Sequence, residues 1–171
     1  MELKVQQLGL RQLRERVRSQ QAPQCACAGQ LCEQLLGRLG FSLTAAQQRV
    51  IAEINTDLSC RSPMQRLVQG DVGSGKTVVA AMAVLQVVDS GFQAAVMAPT
   101  ELLAEQHFSA FCDWLEPLGI EVAWLSGKLK GRGREQMLEK ISSGQARVAV
   151  GTHALFQEQV VFDHLGLVVI D

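Results

Sequence analysis

LVQGDVGSGKTVVA, residues 67–80, is the stretch on which the reading of this chain turns. Gly70, Gly75, Lys76 and Thr77 fit the pattern G-x-x-x-x-G-K-[ST] of a phosphate-cradling loop. Glycines let the backbone wrap closely around phosphate oxygens with its N–H groups turned inward. A helix beginning near Gly75 adds the positive end of its dipole. The whole loop, Gly70, Asp71, Val72, Gly73, Ser74, Gly75, Lys76 and Thr77, is therefore expected to hold the phosphates of a nucleotide. Lys76 is the catalytic candidate, reaching the outer phosphates as a mobile charge, and the Thr77 hydroxyl is expected in a Mg2+ shell.

Such a loop belongs between a strand and a helix. Working outward, short apolar runs alternate with helical patterns: RLVQ at 66–69, AAVMA at 94–98, EVAWL at 121–125, RVAVG at 147–151 and GLVVI at 166–170. Helices are expected at about 75–89, 101–115 and 132–143. Strands that are apolar throughout suit a parallel sheet covered on both faces. The order predicts an α/β fold, a doubly wound parallel sheet flanked by helices, with ligands at the carboxyl ends of its strands. The last run ends in Asp171, a carboxylate at a strand tip, as a Mg2+ shell in a P-loop site requires. Asp171 is accordingly the second catalytic and metal candidate.

The 171 residues suffice for one domain with a real core, and the 47% hydrophobic and 19% charged composition excludes a disordered chain. The net charge of -1 hides two local basic zones. From Ser126 to Arg147, Lys128, Lys130, Arg132, Arg134, Lys140 and Arg147 face only Glu135 and Glu139. Residues 1–40 carry six basic side chains against three acidic ones. Leu10, Leu13 and Val17 recur at helical spacing there, and Leu31, Leu35, Leu36 and Leu39 form a second apolar stripe. No run is long enough to span a bilayer, and the N-terminus lacks the apolar core of an export signal. Five cysteines without such a signal suggest a reducing compartment, the cytoplasm. Cys25, Cys27 and Cys32 cluster, but no fourth ligand lies nearby, so a thiol-bearing loop is the simpler reading than zinc.

Six segments occur in a fixed order: FSLTAAQ (41–47), GDVGSGKT (70–77), APTELLAEQH (98–107), LSGKLKG (125–131), VGTHALFQ (150–157) and LVVID (167–171). Together they resemble the first motor domain of superfamily 2 helicases, which implies a RecA-like P-loop domain with a parallel sheet flanked by helices. Their wording is most similar to the RecG family, bacterial ATP-dependent helicases that remodel branched DNA. The resemblance covers residues 40–171 closely and divides the chain into a helical linker segment, 1–40, and the N-terminal part of the motor domain, 41–171.

The resemblance implies roles, each with a structural alternative. Phe41 would stack on adenine, or simply be core. Gln47 would bond the edge of the base, while Thr44-x-x-Gln47 is equally a capping box. Pro99 and Thr100, at a strand-to-helix turn, would touch the DNA backbone, although Thr100 is also a natural N-cap. Ser126, Gly127, Lys128, Thr152 and His153 are further DNA candidates at strand tips. His107, two turns into its helix, is expected to pack or face solvent.

By the same resemblance the cofactors are ATP and Mg2+, and the partner is forked or branched DNA. A second motor domain and a wedge domain would complete the machine, and neither is recognisable here. The expectation is an ATP-binding helicase part that hydrolyses poorly alone; the alternative is a non-enzymatic nucleotide- or DNA-binding module. Ending on a strand should also leave an exposed sheet edge, with marginal stability or self-association.

Overall fold

The computed structural model describes residues 20–26 and 29–171. The helix expected around Leu10, Leu13 and Val17, and Cys27 of the cysteine cluster, lie outside them. Four parallel strands, β1 (Gln93–Met97), β2 (Val122–Leu125), β3 (Val148–Gly151) and β4 (Leu165–Ile170), form one sheet in the order β2-β3-β1-β4. The helices are α1 (Gln30–Arg38), α2 (Ala45–Leu58), α3 (Lys76–Asp89), α4 (Glu101–Leu115) and α5 (Gly131–Ser142), with 3-10 turns at Glu116–Leu118 and His153–Phe156. Expected and observed bounds of α3, α4 and α5 differ by at most a residue.

The period of two along each strand sorts the core into two layers. Ala94, Val96, Val122, Val148, Val150 and Leu167 face a large cluster with side chains of α2, α3 and α4. Ala123, Leu125 and Ala149 face a smaller one with Ile141 of α5 and Ala154 and Leu155 of the second 3-10 turn. Strands buried on both faces explain why β1 and β3 read as apolar runs. Gly151 is needed where β3 passes β2: a Cβ there would fall 1.8 Å from the carbonyl oxygen of Leu125.

One expected strand is absent. Residues 66–69 carry no regular secondary structure and join no ladder. Arg66 instead pins this segment to α2, bonding Glu53 at 2.6 Å and Asp57 at 2.8 Å. The segment and β4 both line a cavity of about 410 Å³, and among the described residues β4 has no ladder partner on that side. β4 is consequently an edge strand, with Leu165, Val168 and Ile170 exposed, as the expected open edge requires.

The chain just before α1 lies strapped across the other end of α2 and α3. Ala22 and Cys25 donate backbone N–H groups to the carbonyls of Arg61 and Leu58. The buried Gln86 of α3 donates to the carbonyls of Cys25 and Asn55, at 2.6 and 3.2 Å. The Cys25 thiol points at the Pro23 carbonyl, and no group of three or more metal-ligating side chains exists among the described residues.

Candidate functional site

The glycine loop ends in Gly75, whose φ of 79° lets it cap α3 in a left-handed conformation. Gly73 shares that conformation. Gly70 supplies close approach instead: a Cβ there would lie 2.6 Å from the Ser74 hydroxyl. Lys76 folds back into the loop, its Nζ donating to the carbonyls of Gly70 at 2.7 Å and Asp71 at 2.9 Å. Asp71, Val72, Gly73 and Ser74 are exposed, and Gly75, Lys76 and Thr77 are half-buried.

Gln47 joins this loop from α2. The capping box is complete: Thr44 Oγ1 accepts from Gln47 N at 3.2 Å, and Gln47 Oε1 accepts from Thr44 N at 2.8 Å. The other end of the amide, Nε2, donates to the Ser74 carbonyl at 2.9 Å. The cap is thus also a tether of the glycine loop. Phe41 is half exposed, so its ring is accessible for stacking and is not core.

Asp171 stands at the tip of β4, next to the loop. Its backbone N–H donates to the Met97 carbonyl at 2.9 Å, continuing the β1–β4 pairing. Its carboxylate Oδ2 accepts from His107 Nε2 at 2.7 Å. His107 is the residue that sequence reading passed over. Its signal was its position: it falls on the face of α4 that carries the buried Ala104 and Phe111, three residues before and four after. Lys76, Thr77, His107 and Asp171 all line the same cavity. The hydroxyl and the carboxylate are hard oxygen donors of the kind Mg2+ takes, usually with water and phosphate completing its shell. The donor set therefore fits that ion.

The DNA candidates gather on the same sheet edge, at the carboxyl ends of β1, β2 and β3. Thr100 caps α4, its Oγ1 accepting from Leu103 N at 3.3 Å. Pro99, Thr100, Gly127, Lys128 and His153 are exposed. Ser126 and Thr152 are not: both side chains are buried, and Thr152 Oγ1 has no hydrogen-bond partner. In the basic run that follows, Lys128, Lys130 and Arg132 are exposed, while Arg134 donates to Gln157 Oε1 at 2.7 Å.

Residues 44–171 match the model of the DEAD/DEAH box helicase family. The chain is 60% identical over 141 residues to the ATP-dependent DNA helicase RecG of Escherichia coli O157:H7, which covers 82% of this chain and 20% of that protein. It is 50% identical over 170 residues to RecG of Acidithiobacillus ferridurans, covering 99% of this chain and 25% of that one. A solved structure of RecG bound to a three-way DNA junction superposes with a TM-score of 0.90 at 42% identity, over 98% of this chain and 23% of that chain. The chain thus spans about a fifth to a quarter of the length of the relatives it matches.

Proposed function

Because the chain belongs to the DEAD/DEAH box helicase family, we propose that it forms the first motor domain of a RecG-like, ATP-dependent helicase. Its substrate would be branched DNA, replication forks and Holliday junctions, in recombination and repair. The observation that supports this most is that Lys76, Thr77 and Asp171 line one cavity beside the glycine loop. The alternative of a non-enzymatic binding module gives no reason for a carboxylate held at that position.

Thr77 and Asp171 would hold Mg2+. When bound, the ion would supply positive charge to neutralise what develops on the transferring phosphoryl group. Lys76 would leave the Gly70 and Asp71 carbonyls for the outer phosphates. The glycine loop and the first turn of α3 supply N–H donors. Phe41 would stack on adenine, and Gln47 would meet the edge of the base by exchanging one of its present bonds. Pro99, Thr100, Gly127, Lys128 and His153 would follow the DNA backbone. Ser126 and Thr152 belong to the same strip, and their buried hydroxyls would reach DNA only once the strand ends open. Residues 1–40 would connect this domain to a wedge, and a second motor domain would close over the nucleotide and supply an arginine. No helix among the described residues is long and apolar enough to cross a membrane. The site of action proposed is the cytoplasm.

The test is a fluorescent-nucleotide titration of the 171-residue chain, with ATP turnover on forked DNA measured once the chain is joined to a second motor domain. Both should be lost in Lys76→Ala. Nucleotide binding that survives Lys76→Ala would remove the phosphate-loop reading and the motor assignment with it.

A further inference from the structure

We propose that His107 is a positioning residue for the Mg2+ ligand Asp171, an inference that rests on the ATP–Mg2+ reading of the site. Three observations carry it. The Asp171 N–H is tied to the Met97 carbonyl, which places the residue at the tip of β4 and leaves its side-chain torsions free. His107 removes that freedom by donating Nε2–H to Oδ2 at 2.7 Å. The bond engages one carboxylate oxygen and leaves Oδ1 for a cation in the cavity that Lys76 and Thr77 also line.

The asymmetry of the pair agrees with this division of labour. The His107 side chain is 15% exposed and that of Asp171 43%. The imidazole is held on the packed face of α4 beside Phe111, while the carboxylate it orients opens toward solvent and ligand. Carboxylates that bind metal are commonly fixed by such an outer hydrogen bond, and its loss typically costs about 10- to 100-fold in metal affinity. A histidine serves well because its rigid ring donates from one defined direction. Placing it on α4 also ties the metal ligand to the helix whose first turn, at Thr100, faces the proposed DNA strip.

The measurement is Mn2+ affinity by electron paramagnetic resonance, with Mn2+ as the probe for Mg2+, on the chain saturated with a non-hydrolysable ATP analogue. Variants His107→Ala, His107→Gln and Asp171→Asn are compared with the unaltered chain. Nucleotide affinity without metal and the melting temperature serve as readouts of fold. His107→Ala should weaken Mn2+ binding by about tenfold, leaving metal-free nucleotide affinity unchanged. His107→Gln, whose amide can still donate, should recover most of the loss. Mn2+ affinity unchanged in His107→Ala but reduced in Asp171→Asn would overturn the role of His107 and leave the metal site standing. Affinity unchanged in both would overturn the metal reading and the role of His107 together.

Discussion

Gln47 of α2 and Ser74 of the phosphate loop are joined by a 2.9 Å hydrogen bond, Nε2 to carbonyl oxygen. The same amide closes the capping box through Oε1, so a single side chain couples helix start and loop shape. Gln47→Ala should lower stability by about 1 kcal/mol and weaken nucleotide binding. Gln47→Glu separates the two effects: it can still accept from Thr44 N but cannot donate to Ser74. It should keep most of the stability and lose the binding, as thermal melts beside nucleotide titrations would read.

Two glycines are expected to be intolerant for different reasons. Gly75→Ala puts a Cβ 2.3 Å from Gln47 Nε2 on a backbone with φ of +79°, so nucleotide binding should fall together with about 1–2 kcal/mol of stability. Gly91 has a similar φ but nothing within 4 Å. Gly91→Ala should cost the backbone strain alone and leave binding intact. Gly151→Ala drives a Cβ into the Leu125 carbonyl and should cost more than about 3 kcal/mol in urea unfolding, or prevent folding.

Glu121 is held below its ordinary carboxylate range, foremost by the hydrogen bond from Lys140, with Gln145 and the ammonium charge adding to it against a smaller opposing effect of burial. A depressed carboxylate contributes stability that is present above its unfolded value, about 4.3, and is lost as pH falls through the folded one. The melting-temperature advantage of the unaltered chain over Glu121→Gln should therefore be full near neutrality and shrink as pH falls below the unfolded value. Both side chains are about a third exposed, so solvent screening keeps the effect under about 1 kcal/mol.

The Cys112 thiol is pushed up to about 11, first by burial and then by the charge and hydrogen bond of Glu116. Thiolate is the nucleophile, so at pH 8 Cys112 should alkylate far more slowly than the exposed Cys60. Mass spectrometry after brief iodoacetamide treatment reads the ratio. Equal labelling would mean that α4 opens readily.

The edge of β4 should make the 171-residue chain self-associate, because Leu165, Val168 and Ile170 present an unpaired, apolar strand. Val168→Lys should shift sedimentation toward monomer across a concentration series. A chain that is monomeric throughout, with or without the lysine, would show that the edge is covered in solution.

Periodicity made β1, β2, β3 and the three later helices legible, because their buried positions are mostly apolar; β4 was legible as an apolar run although Leu165, Val168 and Ile170 are exposed. The glycine loop and the Thr44–Gln47 box were legible because local backbone chemistry dictates them. The segment at Arg66–Gln69 was misread for the opposite reason. Its apolar pair Leu67 and Val68 looks like a strand, but pairing depends on a neighbour distant in sequence, and Arg66 binds two acidic residues on α2 instead. His107 was missed likewise: nothing around it in sequence announces Asp171, 64 residues away. Buried Ser126 and Thr152 show the same limit, since strand tips read as loops until the turn behind them is seen to close over them.

The strap at Ala22–Cys25 gives α3 two working ends. Gln86 grips the strap's carbonyl ten residues along from Lys76, about 15 Å at the helical rise. A rod of that length is stiff on the scale of a single hydrogen bond. The strap and Lys76 are therefore held at opposite ends of one helix.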